Sequence, residues 1–206
     1  MKPQAVVFDI GNVLIHWDPL PVYDRLIGPA RRQVLFDAVD LFDMNRRVDL
    51  GEPFAALVRA TADAHPDWRD EIMLWQKHWM EMASPAIDHS VRLMQALQTK
   101  GIPVFSLTNF GIETYELAAG HYPFMRAFDR DFISGHLKMI KPDPAIFAHV
   151  EDTSGIDPAA LLFTDDSAAN IAAAAKRGWQ THLFDGPEGW ADRLVKEELL
   201  TKEEAH

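Results

Sequence analysis

Carboxylates stand directly after two apolar runs of the sequence that are typical of buried strands. Asp9 follows the run AVVF, and the pair Asp165 and Asp166 overlaps the end of the run LLFTDD. Three carboxylates a few ångströms apart repel one another unless a cation lies between them. Oxygen ligands of this kind suit Mg²⁺, which takes few protein carboxylates and keeps several waters. The acids therefore predict a metal site, provided that both runs end at the same edge of one sheet.

A hydroxyl, an amide and an ammonium complete the set of candidate residues. Thr108 and Asn109 follow the apolar run IPVFSL, and Lys141 stands just before Pro142. An ammonium and N–H donors beside a metal are the groups that hold a phosphoryl group and stabilise its charge during transfer. Taken singly, each residue is more typical of a turn, a helix cap or a solvated surface. Together they predict a combined metal and phosphate site.

The order of the elements predicts how these residues come together. Four short apolar runs are typical of strands, and helical patterns that stop at Gly101 and Gly178 lie between the later ones. Alternating strands and helices predict a parallel sheet with right-handed crossovers. The site of such a sheet lies beyond the carboxyl ends of its strands. We therefore expect an α/β fold with a doubly wound parallel sheet, whose strands lie near residues 5–8, 102–107, 161–164 and 181–184.

Residues 17–85 have a different pattern. Their apolar positions are three and four apart, with breaks at residues such as Gly28 and Pro66, and no strand pattern lies between them. This pattern predicts an all-helical insertion after the first strand, which we call the cap. The predicted domains are a core of residues 1–16 and 86–206 and a cap of residues 17–85.

The composition disfavours several classes of protein. The chain has 206 residues, with 20 basic and 31 acidic side chains, a formal net charge of −11 and no cysteine. This charge disfavours nucleic acid and anionic membranes as partners, and the lack of cysteine removes thiolate ligands and nucleophiles. No apolar segment approaches the roughly 18 residues of a membrane span, and the amino terminus lacks a signal-peptide pattern. We expect a cytoplasmic protein without nucleic-acid or membrane partners. The sequence leaves its oligomeric state undetermined.

Four segments resemble the four motifs of the haloacid dehalogenase superfamily. They occur in the family's order as FDIGNVL, FSLTN, IKPDPAIF and FTDDSAAN, with the helical insertion after the first. One such motif alone is weak evidence, whereas the ordered set is specific. The resemblance implies a Rossmann-like core with a helical cap. It also implies a hydrolase of the phosphatase-like subgroup, similar to sugar phosphatases.

The resemblance implies a role for each candidate. Asp9 matches the nucleophile, whose carboxylate attacks phosphorus and forms an aspartyl-phosphate that water then hydrolyses. Thr108 and the backbone N–H of Asn109 match the groups that hold the transferring phosphoryl oxygens. Lys141 matches the lysine that neutralises charge on the nucleophile and the phosphate.

The resemblance also implies a Mg²⁺ site. Its ligands would be Asp9, the backbone carbonyl of Gly11 and Asp166, with Asp165 as an indirect or alternate ligand. Asn170 stands where many relatives have a further Asp. The implied reaction is the hydrolysis of a small phosphorylated metabolite, whose identity the sequence leaves open.

Gly11 departs from the phosphatase pattern, which has an Asp two residues after the nucleophile as general acid and base. Glycine still offers a backbone carbonyl to a metal, but it has no proton to give. General acid–base help is worth about 10²–10⁴ in rate. Three explanations stay open: water or a group such as His16 or Asp18 takes the role, the substrate has a good leaving group, or no proton is needed.

The last explanation corresponds to a metal-independent 2-haloacid dehalogenase, because halide leaves as a stable anion. Dehalogenases of the superfamily also lack the second Asp. The pair Asp165 and Asp166 disfavours this reading, since two acids beside an anionic substrate repel it in the absence of a metal. A catalytically silent phosphate-binding protein is a third hypothesis, which Gly11 alone supports. We favour the phosphatase.

Overall fold

The computed structural model describes residues 1–206 and contains one five-stranded parallel sheet. Its strands are β1 Ala5–Phe8, β2 Val104–Thr108, β3 Arg130–Ile133, β4 Leu161–Asp165 and β5 Gln180–Leu183. They lie in the order β3-β2-β1-β4-β5, so the first strand of the chain is the middle strand of the sheet. The predicted doubly wound parallel sheet is confirmed.

The register of the strands brings the predicted site residues to one edge. Phe8 of β1 lies opposite Ser106 of β2 and Thr164 of β4. All three strands run in the same direction, so the residues that end or follow them meet at the carboxyl edge of the sheet. β1 is in the centre of this edge, which places Asp9 between the ends of its two neighbours.

β3 is the strand that the sequence pattern did not predict. Its sequence is RDFI, and its first two side chains are exposed. β3 forms one border of the sheet and pairs only with β2. An edge strand needs no continuous apolar run, so the pattern used for buried strands does not detect it.

The cap consists of helices alone, as predicted. The chain enters and leaves it through neighbouring segments: Ile15 bridges Ala86, and the His16 N–H donates to the Pro85 carbonyl at 2.9 Å. The division of the chain into domains at these points stays a prediction. The helices are α1 Leu20–Ile27, α2 Pro29–Ala38, α3 Leu41–Asp49, α4 Phe54–Ala64, α5 Arg69–Lys77 and α6 Trp79–Met82.

Helices of the core cover both faces of the sheet. Val6 and Phe8 of β1 belong to one apolar cluster, and Ala5 and Val7 belong to another, because successive strand residues point to opposite faces. None of the helices has the length and apolar character that crossing a bilayer requires. The core helices are α7 Asp88–Thr99, α8 Ile112–His121, α9 Ser134–Leu137, α10 Pro144–Ser154, α11 Ala168–Lys176, α12 Pro187–Lys196 and α13 Lys202–Ala205.

Cap and core share one apolar interior. The larger cluster contains 43 buried residues and includes Trp75 and Trp79 of the cap together with Phe8 of β1. Trp79 of the cap packs against Phe110, which follows β2, with ring centroids 5.6 Å apart. The cap therefore rests on the edge of the sheet where the predicted site lies.

Candidate active site

The side chain of Lys141 joins two buried acids at the carboxyl edge of the sheet. Its Nζ donates to Asp9 Oδ2 at 2.9 Å, to Asp165 Oδ2 at 2.7 Å and to the Leu107 carbonyl at 2.8 Å. An ammonium has three N–H donors, so each of them has a partner. Lys141 is 3% exposed and Asp165 is fully buried. Such burial of charge is tolerated only when the charges are paired and hydrogen-bonded.

The side-chain amide of Asn109 holds the backbone of Lys141 in place. Its Nδ2 donates to the Lys141 carbonyl at 3.0 Å, and its Oδ1 accepts from the Lys141 N–H at 2.8 Å. This double hydrogen bond fastens the loop before α10 to the end of β2. The sequence predicted a role for the backbone N–H of Asn109. The role of its side chain is visible only in the structure.

Asp165 and Asp166 have different surroundings although they are neighbours in sequence. Asp165 accepts from Asn170 Nδ2 at 2.9 and 3.0 Å and from the Ser167 N–H at 2.8 Å, in addition to Lys141. Asp166 is exposed and accepts from Asn12 Nδ2 at 3.0 Å. The oxygens of Asp165 are therefore largely engaged, while those of Asp166 stay accessible.

Asn12 is a site residue that the sequence reasoning did not single out. Its backbone is in the left-handed region with φ of 54°, which Asn tolerates better than most residues. Its Oδ1 accepts from the Trp17 N–H at 2.9 Å, and its Nδ2 holds Asp166. A signal was present, since a Gly-Asn pair is typical of a turn. Asn12 thus ties the loop after β1 to the loop after β4.

The carboxylates meet the requirements of a hard divalent cation. Asp9, Asp165 and Asp166 each offer an oxygen, and these oxygens lie within 4.8 Å of one another. Lys141 carries one positive charge among these acids, so the cluster keeps a net negative charge. An oxygen-only donor set of this kind fits Mg²⁺ better than a softer metal.

Burial and charge pairing shift the pKa values of Asp9 and Lys141. Burial raises the pKa of Asp9 to about 7; the ammonium of Lys141 opposes this rise, and the charge of Asp165 adds to it. Burial acts to lower the pKa of Lys141, but attraction to Asp9 and Asp165 outweighs it, and the net effect is a raised pKa. Lys141 therefore stays protonated. A cation between the carboxylates would favour the charged form of Asp9.

A cavity of about 390 Å³ opens above this edge and is lined by residues of both core and cap. Its size is that of a small-molecule site. The apolar part of its wall includes Trp17, Trp79 and Phe110. Asp165 lies beneath the cavity lining. The other residues that matched the four motifs do line the cavity, namely Asp9, Gly11, Thr108, Asn109, Lys141, Asp166 and Asn170.

The residues offered as substitutes for the missing acid do not line this cavity. His16 is absent from the cavity wall, and so is Asp18, whose carboxylate accepts from the Leu20 N–H at 2.9 Å at the start of α1. Two polar residues of the cap do line it, Asn45 and Asp49 of α3. The sequence reasoning placed both within the helical cap but singled out neither, because a helical pattern does not show which of its polar residues face the core.

Comparison of the whole sequence with protein families identifies a family. A model described as haloacid dehalogenase-like hydrolase matches residues 3–178. Comparison with solved structures gives the same fold. The chain aligns with a predicted HAD-like family hydrolase from Porphyromonas gingivalis at a TM-score of 0.72 and 22% identity, covering 95% of this chain and 98% of that one. It also aligns with a HAD family enzyme from Bacteroides thetaiotaomicron, solved as an Asp-to-Ala mutant with magnesium and inorganic phosphate, at a TM-score of 0.64 and 20% identity, covering 89% and 95% of the two chains.

Curated relatives include a phosphatase, a cyclase and a dehalogenase. Sesquiterpene phosphatase astK of Aspergillus oryzae is 25% identical over 198 residues, which cover 88% of this chain and 90% of that protein. Drimenol cyclase drtB of Aspergillus calidoustus is 23% identical and matches 88% of this chain, which spans only 34% of the cyclase. (S)-2-haloacid dehalogenase 4A of Burkholderia cepacia is 27% identical over 47% of this chain and 42% of its own length.

Proposed function

This chain belongs to the haloacid dehalogenase-like hydrolase family, and we propose that within it the protein is a Mg²⁺-dependent phosphatase of small phosphate monoesters. The observation that carries the proposal is the position of Lys141 between Asp9 and Asp165, beneath a cavity that Thr108 and Asp166 also line. Phosphoryl transfer to a carboxylate needs a carboxylate nucleophile, an ammonium beside it and further carboxylates that bind a cation. The phosphatase among the relatives and the phosphate-bound neighbour support this choice.

Asp9 is the proposed nucleophile. The Ile10 N–H donates to its Oδ1 at 2.7 Å and Lys141 donates to its Oδ2, so the carboxylate is fixed in orientation before substrate binds. Its attack forms an O–P bond to Asp9 and breaks the bond from phosphorus to the leaving oxygen. Water then attacks the aspartyl-phosphate, which releases phosphate and restores the carboxylate.

Thr108, Asn109 and Lys141 serve the phosphoryl group in this proposal. The hydroxyl of Thr108 and the backbone N–H of Asn109 hold its oxygens, and the ammonium of Lys141 balances the charge that develops on them. Asn109 has a second role, because its side chain fixes the backbone of Lys141.

Asp9, Asp166 and the backbone carbonyl of Gly11 are the proposed ligands of Mg²⁺. When bound, the ion stabilises negative charge on the phosphoryl oxygens. Asp165 offers an oxygen near the other two acids, but its contacts with Lys141, Asn170 and Ser167 suit it better to positioning the lysine.

The alternative of a 2-haloacid dehalogenase is supported by Gly11 and by the partial match to a dehalogenase. The exposed carboxylate of Asp166 counts against it, since a free haloacid is an anion and would be repelled there. A silent phosphate-binding protein would not need the buried triad of Asp9, Lys141 and Asp165, which is costly to keep.

A paired release assay tests the proposal. Phosphate release from 4-nitrophenyl phosphate is measured with Mg²⁺ and with EDTA, beside chloride release from 2-chloropropionate. We expect phosphate release that depends on Mg²⁺ and falls by at least about 10³-fold in Asp9→Asn. Asp18→Asn, a nearby acid outside the cavity, is the matched control and should keep the parent rate.

Each contrary outcome identifies one of the alternatives. Release of chloride without metal would establish the dehalogenase. Binding of inorganic phosphate with Mg²⁺, but without turnover of any phosphate ester, would establish the silent protein.

A further inference from the structure

The cavity contains one titratable side chain without a role in the mechanism above. Its titratable lining residues are Asp9, Lys141, Asp166 and Asp49. The first is the proposed nucleophile, the second its ammonium partner, and the third a proposed metal ligand. Asp49 is the remaining one, and it comes from the cap, on the last turn of α3.

The position of Asp49 is fixed by contacts with both the cap and the core. Asn45, one turn earlier, donates its Nδ2 to Asp49 Oδ2 at 3.0 Å, and the Gly111 N–H donates to the carboxylate from the start of α8. Ser134 Oγ donates to the Asp49 carbonyl at 2.5 Å. The carboxyl group is therefore held at the wall of the cavity and is not a mobile surface acid.

The charge state of Asp49 is governed by burial. Burial raises its pKa to about 7, and the hydrogen bonds from Gly111 and Asn45 act in the opposite direction. Neighbouring charged groups have other partners: Arg46 pairs with Asp43, Arg47 pairs with Glu52, Lys138 donates to the Gly51 carbonyl, and Glu113 accepts from the Ala55 N–H. His136 interacts electrostatically with Asp131. A carboxyl that titrates near neutrality can both give and take a proton at working pH.

We propose that Asp49 of the cap is the general acid and base of the hydrolysis, in the role for which Gly11 has no side chain. The inference rests on the proposed phosphatase function. In the first step, the Asp49 carboxyl gives its proton to the leaving oxygen as the bond from that oxygen to phosphorus breaks. In the second step, the Asp49 carboxylate takes a proton from the water that attacks phosphorus. One turnover then yields alcohol and phosphate, and it leaves Asp9 as a free carboxylate and Asp49 as a protonated carboxyl, as at the start.

The dependence on the leaving group tests this role. The value of kcat/KM is measured for an alkyl phosphate such as glycerol 2-phosphate, whose leaving group needs a proton, and for 4-nitrophenyl phosphate, whose leaving group does not. In Asp49→Asn we expect a loss of about 10²–10³-fold for the alkyl ester and of less than about tenfold for the aryl ester. Asp43→Asn, on the same helix but outside the cavity, should change neither.

Two outcomes would overturn the proposal. An equal loss for both esters would show a role in shaping the cavity, and no loss for either would show that Asp49 takes no part. If the parent protein hydrolyses neither ester, the phosphatase function itself fails, which is a different result. Thermal unfolding of Asp49→Asn checks that the fold is retained.

Rescue by a carboxyl at residue 11 gives a second test. A Cβ at Gly11 would have the Trp17 Cβ, 3.9 Å away, as its nearest neighbour, so a side chain can begin there without a clash. The double variant Gly11→Asp with Asp49→Asn should recover at least about tenfold in kcat/KM for the alkyl ester. A double variant as slow as Asp49→Asn alone would contradict the proposal.

The pH profile gives a third test, independent of the size of the rate. For the alkyl ester, kcat/KM of the parent should fall as pH rises through about 7, because Asp49 must hold a proton. Asn45→Ala removes a donor that favours the carboxylate, so this alkaline limb should move to higher pH. The aryl ester should lack the limb. The assignment would be contradicted if the pH profiles of both esters showed the same alkaline limb. It would also be contradicted if the limb for the alkyl ester stayed at the same pH in Asn45→Ala.

Discussion

Asn170 donates its side-chain amide to both carboxylate oxygens of Asp165, at 2.9 and 3.0 Å. This contact separates the roles of two acids that stand side by side in the sequence. Asp165 is buried among donors, while Asp166 is exposed at the cavity. The first therefore belongs to the framework that holds Lys141, and the second is free to bind a ligand.

Substitution of the two acids should separate stability from metal binding. Asp165→Asn leaves Lys141 with one buried carboxylate and sets an amide against Asn170, so we expect the free energy of unfolding to fall by about 3 kcal/mol. Asp166→Asn should change it by less than about 0.5 kcal/mol and should weaken Mg²⁺ binding at least about tenfold. Urea unfolding and calorimetric Mg²⁺ titration measure these effects. Equal stability of the two variants would contradict the division of roles.

The stability of the protein should depend on the ionisation of Asp49. Its pKa rises from 3.8 in the unfolded chain to about 7 in the folded one. The folded protein therefore holds this proton more tightly than the unfolded chain does, which stabilises the fold at low pH. This stabilisation is lost as pH rises from about 4 to about 7. Asp49→Asn keeps a neutral group at every pH. This variant should be more stable than the parent by about 2 kcal/mol at pH 8. One pKa unit corresponds to about 1.4 kcal/mol, and partial solvent contact of the carboxyl reduces the total effect.

The comparison at lower pH checks the cause of this difference. The two proteins should approach equal stability as pH falls from 8 towards 4, measured by urea unfolding at each pH. Asp43→Asn, exposed on the same helix, should follow the parent throughout. A constant difference between Asp49→Asn and the parent would mean that packing, not ionisation, separates them.

Glu151 should stabilise the fold through one polar cluster. It accepts two hydrogen bonds from Arg177, at 2.7 and 2.6 Å, and one from Trp179 Nε1 at 2.7 Å, and the Arg177 contact lowers its pKa. Glu151→Gln should lower the free energy of unfolding by about 1–2 kcal/mol at pH 7. Glu116→Gln, which removes the exposed pair with Arg126, should change it by less than about 0.5 kcal/mol.

The stabilisation of the fold by Glu151 should be lost at acid pH. A carboxyl whose pKa is lowered by folding contributes stability above its ordinary pKa, and the contribution is lost as pH falls through the lowered value. The parent and Glu151→Gln should therefore converge in urea unfolding below the usual pKa range of a glutamate. A gap that persists at acid pH would contradict this explanation.

Gly135 should tolerate no side chain. A Cβ there would lie 2.8 Å from the Phe110 carbonyl and 2.9 Å from the Ile112 nitrogen, both of them backbone atoms. Gly135→Ala should lower the free energy of unfolding by about 1–3 kcal/mol and reduce phosphate release, because Phe110 lines the cavity. Gly120→Ala is the control: it lies in α8 with nothing within 4 Å, and should stabilise by about 0.5–1 kcal/mol. Equal stability of the two variants would contradict the packing argument.

The sheet could be predicted because its central strands are buried on both faces. β1, β2 and β4 are buried along their whole length, so each is rich in apolar residues in the sequence. Polar residues at the ends of such runs must converge once the strands are parallel. The position of Asp9 and Lys141 near one edge follows from that topology and from the family resemblance.

The rest of the site depends on contacts that no local pattern records. The clamp of Asn109 on Lys141 joins residues 32 positions apart, and that of Asn12 on Asp166 joins residues 154 apart. Asp49 enters the cavity because the cap packs on the core. The helix that carries it has apolar positions at Leu41, Met44 and Val48 with helical spacing, but charged residues between them obscure the pattern.

The central place of β1 has a consequence for the order in which the enzyme is made. β1 leaves the ribosome before both of its neighbours, because β2 and β4 are synthesised long after it. Until they arrive, the strand has no partner in the sheet, and Asp9 has neither Lys141 nor Asp165 beside it. Non-local pairing of this kind forms late in folding. If Asp9 is the nucleophile as proposed, the nascent chain carries it without the groups that position it, and hydrolysis should begin only once residues up to Asp166 have been made and folded.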